Sequence, residues 1–137
     1  MKAYLFAYGA AALTMLCLDA IWLTVSANLL YRPLLGDIML PGFRLAPAIA
    51  FYAIFIIGIV VFAVNPALVT GRWLYATANG ALLGLICYAT YDLTNQATLK
   101  TWSTIVTVVD MSWGTFLTAC AATAGYLAAS GLPRGGS

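Results

Sequence analysis

Long apolar runs broken by short polar punctuation dominate this chain. A helix needs about 20 mostly apolar residues to cross a bilayer. Four stretches meet that length, at about residues 4–30, 46–64, 73–91 and 101–128. Backbone N–H and C=O groups are not left unpaired in lipid, so each run predicts a helix that closes its own hydrogen bonds. Tyr31-Arg32-Pro33 follows the first run and Asn65-Pro66 the second. Proline removes a donor and clashes with the preceding turn, so both predict helix ends. Asp92-Leu93-Thr94-Asn95 predicts the end of the third helix, and Gly131-Leu132-Pro133-Arg134 the end of the fourth. The expected fold class is all-α, an integral membrane bundle of four transmembrane helices. It forms a single domain over residues 1–130, with a flexible tail at 131–137.

The segments between the runs refine this picture. Lys2 precedes an apolar stretch longer than the 7–15 residues of a signal-peptide core, so the stretch reads as the first span. Residues 31–45 contain Leu34, Leu35, Ile38, Met39 and Leu40, too apolar for a solvated loop. They predict a short amphipathic piece at the interface. Tyr4, Tyr8, Tyr31, Trp73, Tyr75, Tyr91, Trp102 and Tyr126 fall near predicted helix ends and fit an interfacial aromatic belt. With four spans, Lys2, Arg72 and Arg134 share one side, and Arg32, Arg44 and Lys100 the other. The cations balance, and the α-amino group beside Lys2 tips the expected orientation toward termini inside.

Composition agrees with the pattern. Of 137 residues, 64% are hydrophobic and 7% charged, against about 25% charged in soluble domains. Six Lys/Arg and four Asp give a net charge of +2, too few cations for a nucleic-acid surface. There is no His and no Glu, which removes the commonest metal ligand and general base. The serines have no His partner, and no phosphate-binding or dinucleotide loop is present. No catalytic, metal or cofactor site is therefore assigned. Cys17, Cys87 and Cys120 lie far apart inside apolar runs and read as small buried residues.

The candidate chemistry lies in acids inside these runs. Asp19 and Trp22 in the first span are matched by Asp110 and Trp113 in the fourth, two Asp-x-x-Trp units. An Asp at a helix centre costs about 2.5–3.5 kcal/mol to insert, so it should face protein or water. Spacings of three and four put Met15, Asp19, Trp22 and Ser26 on one stripe. Thr107, Asp110, Gly114, Thr118, Ala121 and Gly125 form a second stripe, small and hydroxylated. Gly80 and Gly84 form a GxxxG pattern in the third span, with Thr77 and Tyr88 nearby in projection. Two readings of the acids stand side by side. They are a ligand- or proton-binding site walled by Trp22 and Trp113, or they accept hydrogen bonds and hold helices together.

Asp92, Thr94, Asn95, Thr98 and Lys100 form the densest polar stretch and predict a hairpin after the third span. Helix capping explains most of it, with Thr98 or Thr101 capping the fourth helix. Contact with a solute or lipid headgroup, with Asp92 and Asn95 as ligands and Lys100 as a cation, is the other reading.

LDAIWL, FYAIFIIGIVVFAVNPAL, GALLGLICYATYDLTNQATLKTW and TVVDMSWGT together resemble domain-of-unknown-function family 2177, small bacterial multi-span membrane proteins. The resemblance runs from about Leu5 to Tyr126, and its phrases fall on Asp19, Trp22, Asp92, Thr94, Asn95, Thr98, Asp110, Trp113 and Gly114. It implies a bacterial inner membrane and no particular activity. The expected function is binding or proton-coupled translocation of a small solute or ion. The alternatives are an accessory subunit of a membrane complex and a headgroup-binding protein. The expected partners are the lipid bilayer and either a second copy or another membrane protein.

Overall fold

The computed structural model describes residues 1–42 and 44–132, all helices and connections with no strand among them. Four helices form an antiparallel bundle: α1 (Lys2–Ile38), α2 (Leu45–Thr70), α3 (Trp73–Thr98) and α4 (Thr104–Ser130). By length and composition α1, α2 and α4 can each cross a membrane. α3 is less apolar, but its 26 residues span about 39 Å at 1.5 Å per residue, enough to run the depth of the bundle. The tail expected at 131–137 lies outside the described residues from 133 onward.

Neither proline ends its helix. Ala27–Tyr31 forms a π-helical turn, and the helix resumes over Arg32–Leu35 with Pro33 inside it. Val60–Val64 forms the same turn, followed by Asn65–Thr70 with Pro66. In both places the residue before proline bonds five residues back, Arg32 to Ala27 and Asn65 to Val60. The wider turn makes room for a ring that would otherwise clash with the carbonyl four residues earlier. The segment expected at the interface is therefore partly helical: a 3-10 turn at Gly36–Ile38 extends α1, and Leu35 is buried.

Gly71 stops α2. Its φ of 69° and ψ of 20° are left-handed, which L side chains adopt only with strain. A Cβ there would meet nothing within 4 Å, so the requirement is purely one of backbone. Gly71→Ala is expected to lower stability by about 1 kcal/mol, and Gly71→Asn by less. Denaturant titration in detergent micelles would measure both.

Small residues bring the helices together. On α1, Ala3, Ala7, Ala11 and Met15 are buried at four-residue intervals, leading straight to Asp19. On α4, Leu117, Ala121, Ala122, Tyr126 and Ala129 are buried against them. Gly125 lies where a Cβ would be 3.0 Å from the Ala7 carbonyl. Between α3 and α4 the approach is closer still. A Cβ on Gly80 would sit 2.7 Å from both Ala122 Cβ and the Thr118 carbonyl. One on Gly84 would strike the Gly114 carbonyl and Thr118 Oγ1. The Thr77 and Thr123 hydroxyls bond across the same interface at 2.7 Å.

Leu5, Leu13, Ile21, Ile54, Phe62, Ile105 and Leu127 point outward and supply the apolar belt that lipid would cover. The cysteines are free, but only partly as expected. Cys87 and Cys120 are half-buried, while Cys17 is exposed on this outer surface.

Candidate functional site

α1 and α4 run antiparallel in a register that lays one Asp-x-x-Trp unit against the other. Trp113 Nε1 donates to Asp19 Oδ1 at 3.1 Å. Trp22 Nε1 donates at 3.0 Å to the Tyr31 hydroxyl, which in turn donates to Asp110 Oδ1. Each tryptophan therefore serves the aspartate of the other unit, one directly and one through a phenol. The two indoles stack, with centroids 4.5 Å apart and planes 10° from parallel. The repeat is self-complementary across an antiparallel helix pair.

α2 contributes Tyr52, whose hydroxyl donates to Asp19 Oδ2. Both oxygens of Asp19 are thus held, by α4 and by α2. The bond to Asp110 reaches only Oδ1. Both carboxyl groups are buried, at 7% and 8% exposure, so the inward orientation expected of them is what the helices adopt. α3 adds Tyr88, whose ring packs on Gly114 where any side chain would collide with it. Gly114 thus makes room for an aromatic ring beside the two acids.

Among the described residues no cation pairs with these acids. α2, α3 and α4 contain no Lys or Arg, and α1 has only Lys2 and Arg32. Arg32 is exposed, past the π turn. Anionic carboxylates in so apolar a setting need a proton, a cation or strong donors.

The polar stretch after the third span is organised differently from the expected hairpin. α3 continues through Thr98, so Asp92, Thr94 and Asn95 lie on its last turns. The Thr94 and Thr98 hydroxyls bond back to carbonyls one turn earlier, Thr90 and Thr94, and stay exposed. Such back-bonding lets threonine continue a helix where a cap would have ended it. Neither Thr98 nor Thr101 caps α4. Ser103 occupies that position without a side-chain bond. Asn95 is half-buried and Lys100 is exposed. Asp92 is fully buried within the protein.

Sequence reasoning missed Tyr31 and Tyr52. Tyr31 reads as a belt residue by its position, but the π turn rotates it onto Asp110. Tyr52 lies inside FYAIFIIG, where a lone phenol in an aliphatic run was the available signal. Beside these groups, the Leu45–Ile59 half of α2 stands away from α3, which it meets mainly through Val60–Thr70. The gap is a lateral opening of about 310 Å³ lined by Phe51, Cys87, Tyr88 and Tyr91.

No curated protein and no solved structure matches the chain. A family model described as "Predicted membrane protein (DUF2177)" matches residues 4–127. With that match covering most of its length, and with the phrases around Asp19, Asp92 and Asp110 inside it, the chain belongs to the DUF2177 family of membrane proteins.

Proposed function

We propose that the protein binds a small cationic solute in the cytoplasmic membrane of a bacterium and exchanges it for protons at Asp110. One observation carries this reading. Two interior acids converge between helices with no basic residue beside them among the described residues. Asp110 has an oxygen left for exchange, whereas Asp19 is held on both sides and positions Trp113. The stacked indoles offer a π face to a cation. The opening between α2 and α3 gives an amphipathic solute access from the lipid phase. Four short helices enclose little volume, and a second copy would complete a pathway.

Full occupancy of Asp19 by donors from two other helices favours a second reading. There the acids are glue, and the chain is an accessory subunit of a larger complex.

Proteoliposomes with a lumenal pH dye and ethidium as probe cation separate the two. Ethidium is expected to drive proton movement with wild-type protein. Asp110→Asn should reduce it about tenfold or more, the factor that about 1.4 kcal/mol of lost interaction gives. Asp19→Asn should reduce it less. Wild-type rates in well-expressed Asp110→Asn protein would sink the exchange reading.

A further inference from the structure

Asp92 is the least solvent-exposed acid in the described chain. It is 0% exposed, and neither carboxyl oxygen has a hydrogen-bond partner among the described residues. Buried polar groups are almost always satisfied, so the orphaned Asp92 carboxyl calls for a partner. Ser26 Oγ, on the same α1 stripe as Asp19 and Trp22, is buried and unpartnered as well.

The helix registers bring these atoms to one level. Gln96 Nε2 meets Thr104 Oγ1 at 2.9 Å, and Gly84 packs on Gly114 and Thr118. Asp92, between Gly84 and Gln96, therefore faces the Thr107–Asp110 turn of α4. On the other side of α4, the pairing of the Asp19 and Asp110 units sets Ser26 against the same turn. Asp110 lies on that turn of α4, and Tyr91 is the ionisable neighbour of Asp92 on α3. From α1, Tyr31 reaches Asp110, and α2 brings only Tyr52, which is bound to Asp19.

We propose that Asp92 and Asp110 share one exchangeable monovalent cation, H⁺ or Na⁺. Two neighbouring carboxylates without a base repel unless a cation lies between them or one is neutral. Divalent ions fit poorly. No group of three metal-ligating side chains gathers among the described residues. The inference rests on the reading of Asp110 as the exchanging acid and supplies its second half.

The test uses the full chain in detergent, without solute. Dicyclohexylcarbodiimide, which attacks protonated carboxyls in apolar surroundings, is expected to label Asp92, with the adduct located by mass spectrometry. If Na⁺ is a ligand, NaCl protects where choline chloride does not; if only H⁺ binds, protection follows rising pH alone. Asp92→Asn should lose the dependence of thermal stability on that same ion. An unlabelled Asp92, labelling indifferent to both Na⁺ and pH, or an Asp92→Asn protein that keeps the wild-type dependence overturns the proposal. Ion-protected labelling of Asp92 in a protein that moves no ethidium would sink only the transport reading.

Discussion

Gly84→Leu is expected to abolish the α3–α4 interface. A single Cβ at this position already strikes the Gly114 carbonyl and Thr118 Oγ1, and the Thr118 hydroxyl is committed to that same carbonyl at 2.7 Å. Nothing in the contact is the far end of a flexible side chain. Overpacking a filled core costs about 1–3 kcal/mol, and a leucine against backbone falls at or beyond the upper end. Because α3 reaches the bundle chiefly through α4, the loss would extend to Tyr88 and Asp92. The readout is the yield of monodisperse protein in mild detergent and the midpoint of its unfolding in SDS. Gly58→Leu is the control, since a Cβ there has only the Phe62 ring edge near it, at 4.0 Å. Similar losses in both variants would mean that close approach at Gly84 is not what holds the pair.

The combined variant Tyr52→Phe/Trp113→Phe carries the second large effect. It strips both donors from Asp19 and leaves a buried carboxyl with nothing to accept from. Interhelical bonds in membranes average only about 0.6 kcal/mol, so the bonds themselves contribute modestly. The larger cost is the orphaned acid, about 1–3 kcal/mol or more for a charged group. Adding Asp19→Leu to the double variant removes the orphan and should recover most of the stability. The same SDS titration measures all three proteins. If Asp19→Leu deepens the loss, Asp19 has partners other than Tyr52 and Trp113.

Much of the bundle was legible because lipid leaves few alternatives. All four runs form helices, although only three are long and apolar enough to cross a membrane, and the small and hydroxylated stripe on α4 correctly marked its buried face. The two Asp-x-x-Trp units were visible as a pair, although their mutual exchange of partners was not. That exchange depends on the register of α1 against α4, which small residues set along the full length of both helices.

The misreadings share a physical origin. Proline and clustered polar residues are strong local signals for a helix end, and in this fold tertiary packing overrides them. The π turns at Ala27–Tyr31 and Val60–Val64 absorb the prolines. Back-bonding threonines carry α3 past residues that spell a loop. Both effects move a functional group inward: Tyr31 in the first case, Asp92 in the second. Neither the identity of those residues nor their spacing carries that information.

The brace between the outermost helices also bears on how the chain is made. Asp19 leaves the ribosome 94 residues ahead of Trp113, the donor that will hold it. Its partner Tyr52 emerges sooner, but on a helix that must first insert. A nascent chain therefore passes through the translocon with an acid in α1 and both donors to that acid still to be synthesised. Lateral release of that segment has to rely on its flanking leucines and alanines, and the bond from Trp113 forms only when α4 arrives.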